Sequence, residues 1–160
     1  MISKKKALGN FIRQTKKISK FAKKNKINIL LENNVVTKKN LDIFKGNPFL
    51  LTNYKDVKYL FKFMPKNVKL LVDVAHLKVS SKTLKFNLVK SFKYLKTYTG
   101  AYHLSDNNGI IDNNRDIKKN SWFLNLITKV DFISIEVANK NLALVKKQLN
   151  LIDEKINNKI

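Results

Sequence analysis

LLVDVAHLKVS, residues 70–80, decides how the rest of the chain is read. An apolar run with strand character ends on Asp73 and, three residues later, on His76, one of only 2 histidines in the protein. AYHLSDNNG at 101–109 repeats the arrangement: a short apolar run closes on His103, with Asp106 just beyond it. INILLENN at 27–34 places Glu32 at the end of another nearly continuous apolar run, and DFISIEV at 131–137 does the same with Glu136. Continuous apolar runs of this length belong to strands buried in parallel sheets.

Between the runs the period changes from two to three or four. Residues 8–25 place Leu8, Phe11, Ile12, Thr15, Ile18, Phe21 and Ala22 on one side of a helix. A loop containing GNPF at 46–49 leads to a helix from Asn53 to Met64, closed by Pro65. VKLLVDVAH is read as the second strand, SKTLKFNLVKSFKYLKTY as containing the next helix, and GAYHLSD as the third strand. The polar loop NNGIIDNNRDIKKN, a short helix in SWFLNLITKV, the fourth strand and a last helix over 139–156 complete the chain. A helix followed by four strand–helix units, with no hairpin signal, predicts an α/β fold with a parallel sheet. The candidate architectures are an open doubly wound sheet and part of a (β/α) barrel.

Composition narrows the function classes. At 160 residues and 44% hydrophobic content the chain is expected to form a single folded domain. No apolar run approaches the roughly 20 residues of a membrane span, and no secretory h-region follows the basic N-terminus. There are no cysteines, which excludes disulfides and thiolate metal sites and accords with a cytoplasmic location. The net charge of +22 invites a nucleic-acid surface, but of the 33 basic residues all except Arg13 and Arg115 are Lys. Arg is the usual reader of base edges, so weak adhesion to polyanions is expected and no specific nucleic-acid partner.

Only 11 residues are acidic, yet Glu32, Asp73, Asp106 and Glu136 lie at or just past the C-terminal ends of the four apolar runs, with Asp112 in a following loop. Asp42, Asp56, Asp153 and Glu154 fall on helix faces, as chance decoration would place them. In parallel α/β folds the C-terminal rim is where active sites assemble. Singly, an Asp after a strand is often a helix cap and a lone His is usually structural. A ring of carboxylates is costly to bury unless a cation neutralises it.

Taken in order, ILLENN, LLVDVAHLKVS, AYHLSDNNG, IIDNNRDIKKNSWF and ISIEV resemble the xylose isomerase-like TIM-barrel superfamily, the sugar phosphate isomerase/epimerase group. The resemblance covers nearly the whole chain and corresponds to the C-terminal half of that barrel, so it implies four strands of an incomplete barrel. It implies one divalent metal held by Glu32, Asp73, His103 and Glu136, and a substrate-facing His76. It also implies isomerisation or epimerisation of a sugar through an enediolate, with Glu32 and Glu136 as the acid/base pair. Three carboxylates and an imidazole form a mostly hard donor set, which puts Mn²⁺ first, with Mg²⁺, Co²⁺ or Zn²⁺ behind it. Asp106 and Asp112 are expected to orient His103 or the loop.

The same superfamily contains apurinic-site endonucleases with three zinc ions, whose D-x-H pattern here reads Asp112-Asn113-Asn114; Asn is a poor zinc ligand. A non-catalytic scaffold is the remaining alternative. Four strands would leave an inner face exposed, and Leu30, Leu70, Val72 and Ile135 are expected to lie on it. The expected partners are therefore a small-molecule sugar and the other half of a barrel, an N-terminal half or a second copy of the chain.

Overall fold

The computed structural model describes residues 2–157. Its centre is a single four-stranded parallel sheet in the order β1 (Ile29–Glu32), β2 (Val68–Asp73), β3 (Thr99–Leu104) and β4 (Phe132–Ile135). The spatial order follows the chain order, whereas a doubly wound sheet reverses direction at a switch point. A singly wound sheet with its helices on one side is the construction of a barrel sector. The protein is thus α/β with parallel (β/α) units, consistent with half of a barrel.

The helices are α1 (Lys4–Lys24), α2 (Lys38–Phe44), α3 (Tyr54–Phe61), α4 (Val74–Thr83), α5 (Leu88–Leu95) and α6 (Leu142–Asn157). All six start on a side chain that accepts from an otherwise unpaired backbone N–H: Ser3, Thr37, Asn53, Asp73, Asn87 and Asn141. No described helix is long and apolar enough to cross a membrane.

Side chains alternate along each strand, so the two sheet faces have different fates. Leu70, Val72, Tyr102 and Leu104 are buried in one core with Phe92, Leu95, Phe123 and Ile127. Phe92 sits between two rings, stacked on Tyr102 at 5.9 Å and edge-on to Trp122 at 5.4 Å. Leu30, Lys69, Phe132 and Ser134 belong to the other face and are exposed. Phe132 is 67% exposed. Of the four apolar residues expected on an uncovered face, only Leu30 is there. Leu70 and Val72 are fully buried under the helices, and Ile135 packs against the same core. The strand period explains the correction, because residues one apart point to opposite sides.

Five further expectations fail locally. VKLLVDVAH is not strand to its end: β2 stops at Asp73, whose side chain caps α4, so His76 stands in the first helical turn. The region expected to hold one helix after it is split into α4 and α5, with Lys85 at φ 55° in the break. Turns over 122–126 stand where a helix is expected over 121–130, although Phe123, Leu124 and Ile127 are buried as a helical stripe would be. Helix α2 lies in what reads as loop; Thr37 and Asn40 start it with a reciprocal capping box. In α1, Ile18 and Phe21 prove exposed and Ser19 takes the buried position, donating to Asn67 at 2.7 Å.

Candidate metal centre

The rim residues reach one place because the strands end in register. Asp73 and His103 are paired across β2 and β3, His103 is paired with Ser134 of β4, and Glu32 with Leu71 of β2. All therefore point to the uncovered face at its C-terminal edge. Glu32, Asp73 and His103 each offer one ligand atom, and these atoms lie within 4.8 Å of one another. Glu136 stands beside them, with Oε1 2.9 Å from His103 Nδ1; Glu32 Oε1 is 3.3 Å from the same nitrogen. Yet His103 Nδ1 makes no hydrogen bond, because its position between the carboxylates is close without being aligned. An orphaned buried nitrogen facing two carboxylates, next to a third that is 1% exposed, is a donor set that fits a divalent cation.

His76 lies one layer away. Its Nδ1 donates to the carbonyl of Asn33 at 2.9 Å, and Nε2 is 3.0 Å from Asp112 Oδ2. Asp73 Oδ2 is 3.9 Å from Nε2, and Glu32 Oε1 is 3.6 Å from Nδ1. Burial opposes charge on this imidazole, but the hydrogen bond to Asp112, the Asp73 charge and the Asn33 carbonyl outweigh it and raise its pKa to about 9. Burial also pushes the Asp73 carboxyl up to about 6, against the charge and backbone N–H of His76; Asp112 and Glu32 add to the rise.

The raised His76 value has a consequence for the metal-free chain. A folded pKa above the ordinary 6.5 stabilises the fold fully below pH 6.5, and that contribution fades as pH rises through about 9. Urea midpoints should therefore fall between pH 6.5 and 9 in the wild type. His76→Asn should flatten that slope, and an equal slope in the variant would refute the assignment.

The two remaining acids divide. Asp112 pairs with His76 and not with His103. Asp106 holds the loop: it accepts from Ser121 Oγ at 2.8 Å and the N–H of Asn107 at 2.8 Å, and pairs with Lys78. Burial works against its charge, but these partners hold its carboxyl below the usual range. Asn114, standing where the nuclease pattern has His, accepts from Ser105 at 3.2 Å.

Asn33, Lys78 and Ser121 were not anticipated. Asn33 is legible in hindsight as the polar residue directly after Glu32, but nothing distinguishes Lys78 among so many lysines. No family model and no curated protein matches this chain.

Proposed function

We propose that the protein is a divalent-metal-dependent isomerase or epimerase of a sugar or sugar phosphate. The observation that carries this reading is the convergence of Glu32, Asp73 and His103 within 4.8 Å on the open rim of a parallel sheet, with Glu136 against His103. These four residues would hold the ion, Mn²⁺ before Mg²⁺, Co²⁺ or Zn²⁺, given the preponderance of carboxylate oxygen. A bound divalent ion supplies Lewis-acid polarisation of a carbonyl.

Glu32 ends β1 and Glu136 directly follows β4, the two edge strands, and neither is buried. Carboxylates on opposite edges can flank a sugar between them, one removing the proton next to the carbonyl and the other returning it. His76 is held through Nδ1 by the Asn33 carbonyl, and its Nε2–H, paired with Asp112 in the metal-free chain, would turn from Asp112 to a substrate oxygen. The uncovered face would be closed by a second half-barrel, from further chain or from another copy.

The deciding measurement is solvent deuterium entering an aldose or ketose next to its carbonyl, with the closed assembly and Mn²⁺. Incorporation is expected, and no nicking of abasic DNA; nicking without exchange would replace the isomerase reading with the endonuclease one. Glu32→Gln or Glu136→Gln should abolish exchange. His76→Asn should leave metal affinity near wild type and lower the exchange rate roughly 10- to 1000-fold, the loss of one well-placed polar interaction. A His76→Asn protein that loses its metal would make His76 a ligand instead.

A further inference from the structure

Asn33 follows β1 directly and is 1% exposed. Its amide grips the backbone of Asp73 at both ends: Oδ1 accepts from the Asp73 N–H at 2.8 Å, and Nδ2 donates to the Asp73 carbonyl at 3.1 Å. Its own N–H donates to Leu71 at 3.4 Å, and its carbonyl accepts from His76 Nδ1 at 2.9 Å. The β1–β2 ladder ends at Glu32 and Leu71. Beyond it the two groups of Asp73 that face β1 would be buried without partners, a penalty comparable to losing the hydrogen bonds themselves. The Asn33 side chain thus acts as the strand residue that β1 lacks, and it does so one position after Glu32.

We propose that Asn33 is the positioning residue of the centre, holding the carboxylates of Glu32 and Asp73 in the mutual placement that cation binding requires and fixing the ring of His76 beside them. This rests on reading Glu32, Asp73 and His103 as a cation site. A buried amide with both ends engaged has one orientation, and three fixed points on neighbouring strand ends leave Asp73 little freedom to follow a different ligand geometry.

Asn33→Asp tests it, because Asp keeps the shape and the acceptor for the Asp73 N–H while losing the donor and turning an oxygen towards the Asp73 carbonyl. Mn²⁺ affinity measured by calorimetry should fall about 10- to 100-fold, the usual effect of removing a residue that orients a ligand. The visible absorption of bound Co²⁺ should change in position or intensity. Val72→Ala, which weakens the same strand from its helix-covered face, should change neither, separating positioning from general loss of stability.

A second reading needs no metal. In the apo protein the His76 Nδ1–H resonance should be protected and downfield, and Asn33→Asp should shift it. A folded Asn33→Asp with wild-type Mn²⁺ affinity and Co²⁺ spectrum overturns the proposal. Should the wild type bind neither ion, the metal reading fails by itself, and an unmoved His76 resonance in the variant then overturns the role of Asn33 independently.

Discussion

An Asp73→Asn chain is expected to bind no divalent cation and, without one, to be more stable than the wild type. Asp73 is 1% exposed and burial lifts its carboxyl to about 6, so at neutral pH the fold carries a charge it holds poorly. Its pKa is higher folded than unfolded. The penalty is therefore absent below pH 3.8, grows as pH rises, and is complete above about 6. Asn keeps the oxygen that accepts from the His76 N–H at 2.7 Å and removes the charge, at the expense of the attraction to imidazolium. At pH 7 the gain should be about 1 to 3 kcal/mol, following the pKa difference at about 1.4 kcal/mol per unit. Urea unfolding with and without Mn²⁺ measures both halves: added metal should raise the midpoint of the wild type and leave the variant unmoved. A variant stabilised by Mn²⁺ as much as the wild type would remove Asp73 from the ligand set.

Leu70→Ala and Phe132→Ala should differ by several kcal/mol although both residues sit on the same sheet. Leu70 is fully buried within the helix-covered core, and truncating such a Leu costs about 2 to 5 kcal/mol through lost transfer energy and the cavity left behind. Phe132 is 67% exposed on the opposite face, so its removal from an isolated chain should cost about 0.5 kcal/mol or less. Denaturation at several protein concentrations checks the pair. A Phe132→Ala effect that is large and grows with concentration would show that the face is covered by association.

The strands were legible because an apolar run between polar segments has few other uses. The acids at their ends were legible because acids are scarce in this chain: Glu32, Asp73, Asp106 and Glu136 stand out against 33 basic residues. Helix α2 was hidden because its start depends on two side chains, Thr37 and Asn40, bonding each other's backbone, and its length gives no apolar stripe. The segment 121–130 misled for the opposite reason. Its apolar spacing is satisfied by turns that bury Phe123, Leu124 and Ile127 without α-helical hydrogen bonding throughout.

By itself, then, the amino-acid sequence determined the parallel α/β plan and the gathering of carboxylates and histidines at one end of it, since strand polarity carries the C-terminal residue of every run to the same rim. Tertiary structure alone decided which face the helices cover, and so which residues remain open. It also decided that His76 pairs with Asp112 across a loop, that Asp106 serves Lys78 and Ser121, and that Asn33 completes the edge of β2. Those are contacts between residues 15 to 40 positions apart, set by register and packing, and a side chain's type fixes what bonds it can make without fixing which partner it meets.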